Sequence, residues 1–141
     1  MNKENIKKRK IIVFLLALFT INTIYNAITD ECVIVKENSN YYSNMEIDSA
    51  IRLVKTFWKL NLRDNNIKLL EVSYVGDKTI EAAEECAEDY DSDKAIIITV
   101  KFRTGTNLRE PVLAENKTYT RDFVLVKRFW CFWTVKEYGF C

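Results

Sequence analysis

The chain has 141 residues, enough for one ordinary domain, and its 48% hydrophobic and 29% charged content is typical of a globular protein rather than a disordered one. The formal net charge is +1, but the first ten residues alone carry +4, so the rest of the chain carries about −3. This balance offers no broad basic surface for a phosphate backbone, and nucleic acid is excluded as a predicted partner.

The first thirty residues predict a membrane anchor. Residues 1–10 form a basic cytoplasmic tail, and Ile11 to Ile28 are eighteen residues without a charge. About twenty apolar residues cross the roughly 30 Å hydrocarbon layer of a bilayer, so this segment is long enough to span it. The membrane is thus a predicted partner, reached through Ile11 to Ile28, and the protein is predicted to cross it once.

A cleaved secretory signal is the alternative, because the strictly apolar part, Ile11 to Phe19, is only nine residues long. A cut after Ala27 would place Tyr25 at a position that prefers a small residue. Both interpretations place the rest of the chain outside the cytoplasm, since basic segments stay inside. The protein is accordingly expected at the cell membrane, or secreted if the segment is cleaved.

The rest of the chain divides into a polar linker, 29–42, and a domain, 43–141. Ser43 and Glu46 have the spacing of a capping box at a helix start. Apolar residues then recur at steps of three and four from Ile47 to about Leu62, which predicts an amphipathic helix.

Four strands and a short helix are predicted beyond this helix. The strands have β-branched and aromatic enrichment or strict alternation, and they are Ile67 to Val75, Lys94 to Arg103, Thr118 to Val126 and the aromatic stretch that closes the chain. The short helix lies between the first two strands, with Asp77 as its expected cap. The predicted fold is α+β, with one transmembrane helix followed by an amphipathic helix packed on a four-stranded antiparallel meander.

The four cysteines, Cys32, Cys86, Cys131 and Cys141, all follow the predicted anchor, where disulfides persist. Ten residues of extended strand separate Cys131 from Cys141, too far for a bond. Two pairings then remain. The favoured one joins Cys86 to Cys131 and Cys32 to Cys141, because the short helix that carries Cys86 connects the first two strands at the end of the sheet where the fourth strand begins. With no C-x-x-C spacing and no histidine, no zinc site is predicted.

The closing hairpin carries a family resemblance. Phe123 to Lys127 followed by Phe132 to Gly139, F-V-L-V-K and F-W-T-V-K-E-Y-G, resembles the end of uncharacterised Gram-positive membrane-anchored or lipoprotein domains. These domains are placed with the cystatin-like and nuclear-transport-factor-like folds. The resemblance covers about residues 43 to 139 and implies a fold and a location, but no activity.

Two candidate chemistries receive little support. The acidic stretch Asp89, Asp91, Asp93 imitates the start of a calcium loop, but Lys94 stands where glycine is needed and Val100 where a glutamate is needed. No metal and no cofactor are therefore predicted. A pocket enzyme would need a carboxylate and tyrosine together, with Asp122, Glu137 and Tyr119 as candidates. The protein is predicted not to be an enzyme.

The terminal strand favours a binding role. Alternation places Trp133 and Val135 on the side of the main helix and Trp130, Phe132 and Tyr138 on the other. One helix covers one face of a sheet, so these three aromatic residues form the predicted binding surface for a protein or small ligand.

The predicted function is a non-catalytic, membrane-anchored extracytoplasmic binding or assembly domain. The alternatives are a small pocket enzyme that uses a strand carboxylate and a scaffold subunit of a secretion or conjugation channel, whose components resemble this layout of one anchor and one domain.

Overall fold

The computed structural model describes residues 32–62, 66–108, 113–127 and 132–140. All of them belong to one compact unit, Glu31–Cys141. They form two helices and a five-stranded mixed sheet, which confirms the α+β class. The elements are β1 Val33–Lys36, α1 Asn44–Phe57, β2 Ile67–Tyr74, α2 Ile80–Asp89, β3 Lys94–Thr104, β4 Thr118–Lys127 and β5 Thr134–Phe140.

Helix α1 begins at the predicted capping box. The Ser43 hydroxyl accepts from the Glu46 backbone N–H, and the Glu46 carboxylate accepts from the Ser43 backbone N–H. Both free amide groups are therefore satisfied, which fixes where the helix starts. The helix runs on into a π-helical turn, Trp58–Leu62, so the helical segment extends as far as the apolar stripe predicted.

The sheet has the order β1-β2-β3-β4-β5, and β2 to β5 form the predicted antiparallel meander. The predicted count of four strands is wrong, because β1 adds a fifth strand at the edge, parallel to β2. This strand falls inside the stretch predicted to be a linker. It is only four residues long and all four side chains are exposed, so it lacks the buried alternation by which strands are recognised.

The loop after β1 is held to the end of β2 by one carboxylate. Asp77 accepts hydrogen bonds from the Ser39 hydroxyl, the Asn40 backbone N–H and the Tyr74 hydroxyl. These bonds lower the pKa of Asp77, with the Ser39 bond the largest contribution. The prediction that Asp77 caps the short helix is wrong, because α2 begins at Ile80 after a 3-10 turn and its N-cap, Thr79, makes no capping bond.

The main core lies between α1 and one face of the sheet, called the front face. Alternate residues of β3 point at the helix, namely Ile96, Ile98, Val100 and Phe102, and all are buried. Phe123 and Leu125 of β4 lie beside them in register. The amphipathic pattern of α1 and the alternation of β3 thus meet as expected.

Helix α2 covers part of the opposite, back face. Its small residues Ala83 and Ala87 are buried in a second apolar cluster with Ala95, Ile97, Val124 and Val126. The expectation that only one helix covers the sheet is therefore wrong. The short helix was predicted in the right place. The close packing of its small residues, Ala83 and Ala87, on the strands was not predicted.

The predicted tail, 1–10, and the predicted membrane segment, Ile11 to Ile28, lie outside the described residues. Among the residues that the structure describes, no helix is long and apolar enough to cross a membrane.

Candidate functional site

A groove of about 350 Å³ lies between α1 and the start of β5. We call it the α1–β5 groove. Its lining is largely apolar and comes from Ser49, Arg52, Leu53, Thr56, Lys127, Phe132 and Trp133. One wall is the outer flank of α1, and the other is formed where β4 ends and β5 begins.

Trp133 fixes the shape of this groove. Its ring is only 7% exposed, and its indole N–H donates to the Glu46 carbonyl oxygen at 3.1 Å. The Lys127 ammonium lies 5.1 Å from the ring centroid, within the range of a cation–π contact. The tryptophan therefore joins the first turn of α1 to the end of β4, and its predicted packing on the main helix is confirmed.

Phe132, the preceding residue, is 92% exposed. It lines the same groove as Trp133, so both aromatic side chains contribute to one surface on the α1 side of the sheet. The predicted separation of Phe132 from the side of the main helix is wrong. Residues 132 and 133 precede β5, so the strict alternation of a strand does not apply to them.

Glu46 lies next to the groove and joins two lysines. Its carboxylate is 3.1 Å from the Lys94 ammonium and 2.9 Å from the Lys127 ammonium. Burial raises the pKa of this carboxyl, but hydrogen bonds from the Ser43 backbone and both lysines outweigh burial and lower its pKa to about 2. A single carboxylate thus faces two ammonium groups and offsets the charge of Lys127 only in part. Arg52 is the more exposed of the two cations that line the groove.

Tyr138, the third residue of the predicted binding surface, also lies on the front face. Its ring stacks on Phe123, with centroids 5.5 Å apart, and lies 5.6 Å from Phe57. The predicted placement on the opposite face is wrong because of a β-bulge. Val124 pairs with Glu137 but Leu125 pairs with Val135, so Lys136 is an extra residue that reverses the alternation.

Trp130, the remaining residue of the predicted surface, lies outside the described residues. Beyond α2, the back face carries polar side chains, including Ser73, Thr99, Lys101 and Asp122. No aromatic side chain of β5 that the structure describes faces this region. The two described residues of the predicted surface, Phe132 and Tyr138, therefore both lie on the α1 side of the sheet.

A buried arginine was missed by the sequence analysis. Arg121 lies on the front face in register with Val100, and its guanidinium is 5.6 Å from the Phe102 ring and 5.8 Å from the Tyr138 ring. Alternation with Phe123 and Leu125 along β4 could have indicated its direction. It extends the aromatic cluster towards the end of β5.

The candidate catalytic carboxylates do not meet at a cavity. Asp122 accepts from the Thr99 hydroxyl at 2.6 Å on the back face, whereas Tyr119 stacks on Phe102 on the front face. Glu137 accepts from the Tyr90 hydroxyl at an exposed site. None of these carboxylates lines the α1–β5 groove.

The described residues contain no group of three or more histidine, cysteine or acidic side chains that could hold a metal ion. Asp91 of the calcium-like stretch sits in a left-handed turn with φ of 48°, and the Asp93 backbone N–H bonds to the Lys127 carbonyl. The stretch therefore serves as the turn between α2 and β3.

Cys32 and Cys86 have free thiols in the structure, while Cys131 and Cys141 lie outside the described residues. The predicted pairs, each of which needs one of these two, stay predictions. Burial raises the pKa of the Cys86 thiol, and the nearby carboxylates of Glu137, Asp89 and Glu85 raise it further.

No protein-family model, no curated protein and no solved structure matches this chain. The resemblance of the closing hairpin to Gram-positive extracytoplasmic domains therefore stays a prediction.

Proposed function

We propose that the protein is a membrane-anchored extracytoplasmic domain that binds an apolar segment of a protein partner in the α1–β5 groove, without catalysis. Phe132 carries this proposal. Burying a large apolar side chain is worth roughly 1.5 to 3 kcal/mol, yet this ring stands almost fully in solvent beside a groove. A partner that covers the ring would stabilise the complex by up to that free energy.

The shape and charge of the groove support a protein segment as the occupant. Leu53 and Trp133 offer an apolar floor, and Arg52 is an exposed cation beside it. Aromatic and arginine side chains are the residue types that contribute most to binding at protein interfaces. An apolar side chain followed by a carboxylate fits this combination.

The location belongs to the same proposal. The uncharged segment Ile11 to Ile28 holds the chain in the membrane, and the basic tail before it stays inside. A helix followed by an antiparallel meander supports kinship with cystatin-like or nuclear-transport-factor-like domains, which is also part of the proposal.

A crosslinking experiment tests the groove as a protein-binding site. A photoreactive phenylalanine analogue replaces Phe132 in the full chain, and in a matched control it replaces Met45, which is 79% exposed on α1 and does not line the groove. We expect a discrete crosslinked protein from position 132 that is absent from position 45. Arg52→Glu should weaken that crosslink.

Two neighbouring substitutions separate binding from stability. Trp133→Ala removes a buried aromatic ring and should destabilise the domain by roughly 3 to 5 kcal/mol. Phe132→Ala removes an exposed ring and should change the free energy of unfolding by at most about 0.5 kcal/mol. Thermal unfolding measures both. The proposal fails if Phe132→Ala destabilises as much as Trp133→Ala. It also fails if the partner identified by crosslinking binds the Phe132→Ala variant as tightly as it binds the wild type.

A further inference from the structure

A positively charged surface lies at the end of the sheet opposite to the α1–β5 groove. The groove is at the end of β4, whereas this surface is where β3 ends and β4 begins. We call this surface the basic end. Its exposed cations are Lys68, Lys101, Arg103 and Lys117. The sequence did not reveal it, because the cations come from three separate elements.

Strand pairing brings these cations together. Lys68 and Arg103 are directly opposite in register, and Lys101 pairs with Glu71 on the same face of the sheet. Lys68 and Arg103 also line a shallow polar groove of about 410 Å³, together with Asn66, Thr104, Gly105, Thr106 and Asn116. Both cations are exposed at this groove, so phosphate groups can approach them from solvent.

The turns at the basic end are held by hydrogen bonds to backbone carbonyl groups. Lys117 lies in one of these turns, and the other three cations lie in strands β2 and β3. The Gly105 N–H donates to the Asn66 carbonyl, and the Asn116 N–H donates to the Gly105 carbonyl. The Thr104 hydroxyl donates to the Ala114 carbonyl at 2.7 Å. The cations therefore project from a fixed platform and not from a loose loop.

Acidic groups are concentrated elsewhere. Residues 77–94, which include α2, contain eight carboxylates and two lysines, and they join the opposite ends of β2 and β3. The described carboxylates near the basic end are Glu71, Asp122 and Glu115. Asp122 accepts from the Thr99 hydroxyl, and Glu115 accepts from the Asn107 backbone N–H. Together, the segments 63–65 and 109–112 contain two basic and two acidic residues, so they add no net charge to the basic end.

The chain enters the domain from the side of the basic end, since β1 runs parallel to β2. The first residue of β1, Val33, lies beside Glu71, four residues after the start of β2 at Ile67. Only residues 29–32 separate the proposed anchor from Val33, and the five residue steps from Ile28 to Val33 span at most about 18 Å at roughly 3.6 Å per step. Val33, at this point of entry, is exposed and apolar.

We propose that the basic end docks on anionic lipid headgroups of the membrane that holds the anchor. The inference rests on the proposed anchor, because the anchor brings this end close to the bilayer. Each cation near an anionic surface contributes roughly a fivefold factor to the affinity, and the four cations outnumber the carboxylates beside them, so binding is strongest when this end faces the headgroups. The α1–β5 groove, at the other end of β4, then faces away from the membrane.

Hydrogen exchange of the full chain in lipid nanodiscs tests the orientation. Exchange is followed by mass spectrometry in phosphatidylcholine alone and in phosphatidylcholine with phosphatidylglycerol. We expect the amides of the turns 105–108 and 113–117 to exchange more slowly only when phosphatidylglycerol is present. High salt should abolish the difference.

Charge reversal identifies the groups responsible. Lys68→Glu with Arg103→Glu should remove the protection, whereas the matched control, Lys78→Glu with Lys136→Glu, should keep it. Equal exchange in both lipid mixtures overturns the inference, and so does protection that survives the first pair of substitutions. Extraction with alkaline carbonate is measured separately: release of the chain from membranes would refute the anchor itself, and with it the location in the proposed function.

Discussion

Glu46 shows how one side chain serves several roles at once. Its place in the capping box is evident from the spacing to Ser43, and that part was predicted. Its ion pairs with Lys94 and Lys127 were not, because those residues are 48 and 81 positions away. The carboxylate therefore joins the start of α1 to the ends of two strands.

The pH dependence of stability tests this role. The folded pKa of Glu46, about 2, lies below its ordinary value of 4.5, so its contribution is complete above pH 4.5 and is lost as the pH falls towards 2. Glu46→Gln keeps the capping geometry but removes the charge. We expect the variant to be less stable by about 1 kcal/mol at pH 7 and equal to the wild type near pH 2.

Chemical denaturation across this pH range measures the difference. Glu88→Gln is the matched control, since Glu88 is an exposed carboxylate on α2. It should follow the wild type at every pH. A constant difference between Glu46→Gln and the wild type from pH 7 to pH 2 would contradict the assigned charge interaction.

At the scale of elements, the least predictable feature is how α2 packs. Its acidic composition predicts a solvated helix, and most of its surface is indeed exposed. What the pattern does not show is the close approach of Ala83 and Ala87 to the back face. Because these side chains are small, the helix packs close to the sheet, and no space is left there for a larger side chain.

A pair of neighbouring substitutions tests that close approach. Ala83 is 1% exposed and Ala82 is exposed, while both occupy interior positions of α2. Ala83→Leu should force the helix away from Ile97 and cost roughly 1 to 3 kcal/mol. Ala82→Leu should change stability by at most about 0.5 kcal/mol, because the two residue types have similar helix propensity. Equal unfolding midpoints for the two variants would refute the packing.

The elements that the sequence predicts well are those with a local signal. Helix α1 has a cap and a stripe, and β3 alternates along its length, so both were predicted within a few residues. Strand β1 has no such signal, because its position depends on pairing with β2. The side of Tyr138 depends on one extra residue, Lys136, which no pattern in β5 reveals. The groove itself was not predicted: of the three residues in the predicted binding surface, Phe132 lines it, and it lies on the side of the main helix and not on the opposite side.

At the scale of the whole molecule, the sheet order bears on the cysteines. Val33, next to Cys32, lies in one edge strand, and Phe140, next to Cys141, lies in the other. Four strand spacings of roughly 4.8 Å separate two such edges by about 19 Å, whereas bonded cysteines need Cα atoms within about 7 Å. The predicted pair of Cys32 with Cys141 thus requires strong curvature of the sheet.

The redox dependence of stability distinguishes the pairs. A bond between Cys86 and Cys131 closes a loop of about 45 residues, for which the loop-entropy relation gives about 4 kcal/mol of stabilisation. Reductant should therefore lower the unfolding midpoint of the full chain purified under oxidising conditions. Cys86→Ser should remove that response, and Cys32→Ser should retain it, because Cys32 takes no part in this bond. If peptide mapping without reductant instead finds Cys86 alkylated, the bond is absent. In that case we expect Cys86 to be alkylated slowly at neutral pH, because its raised pKa leaves little of the reactive thiolate form.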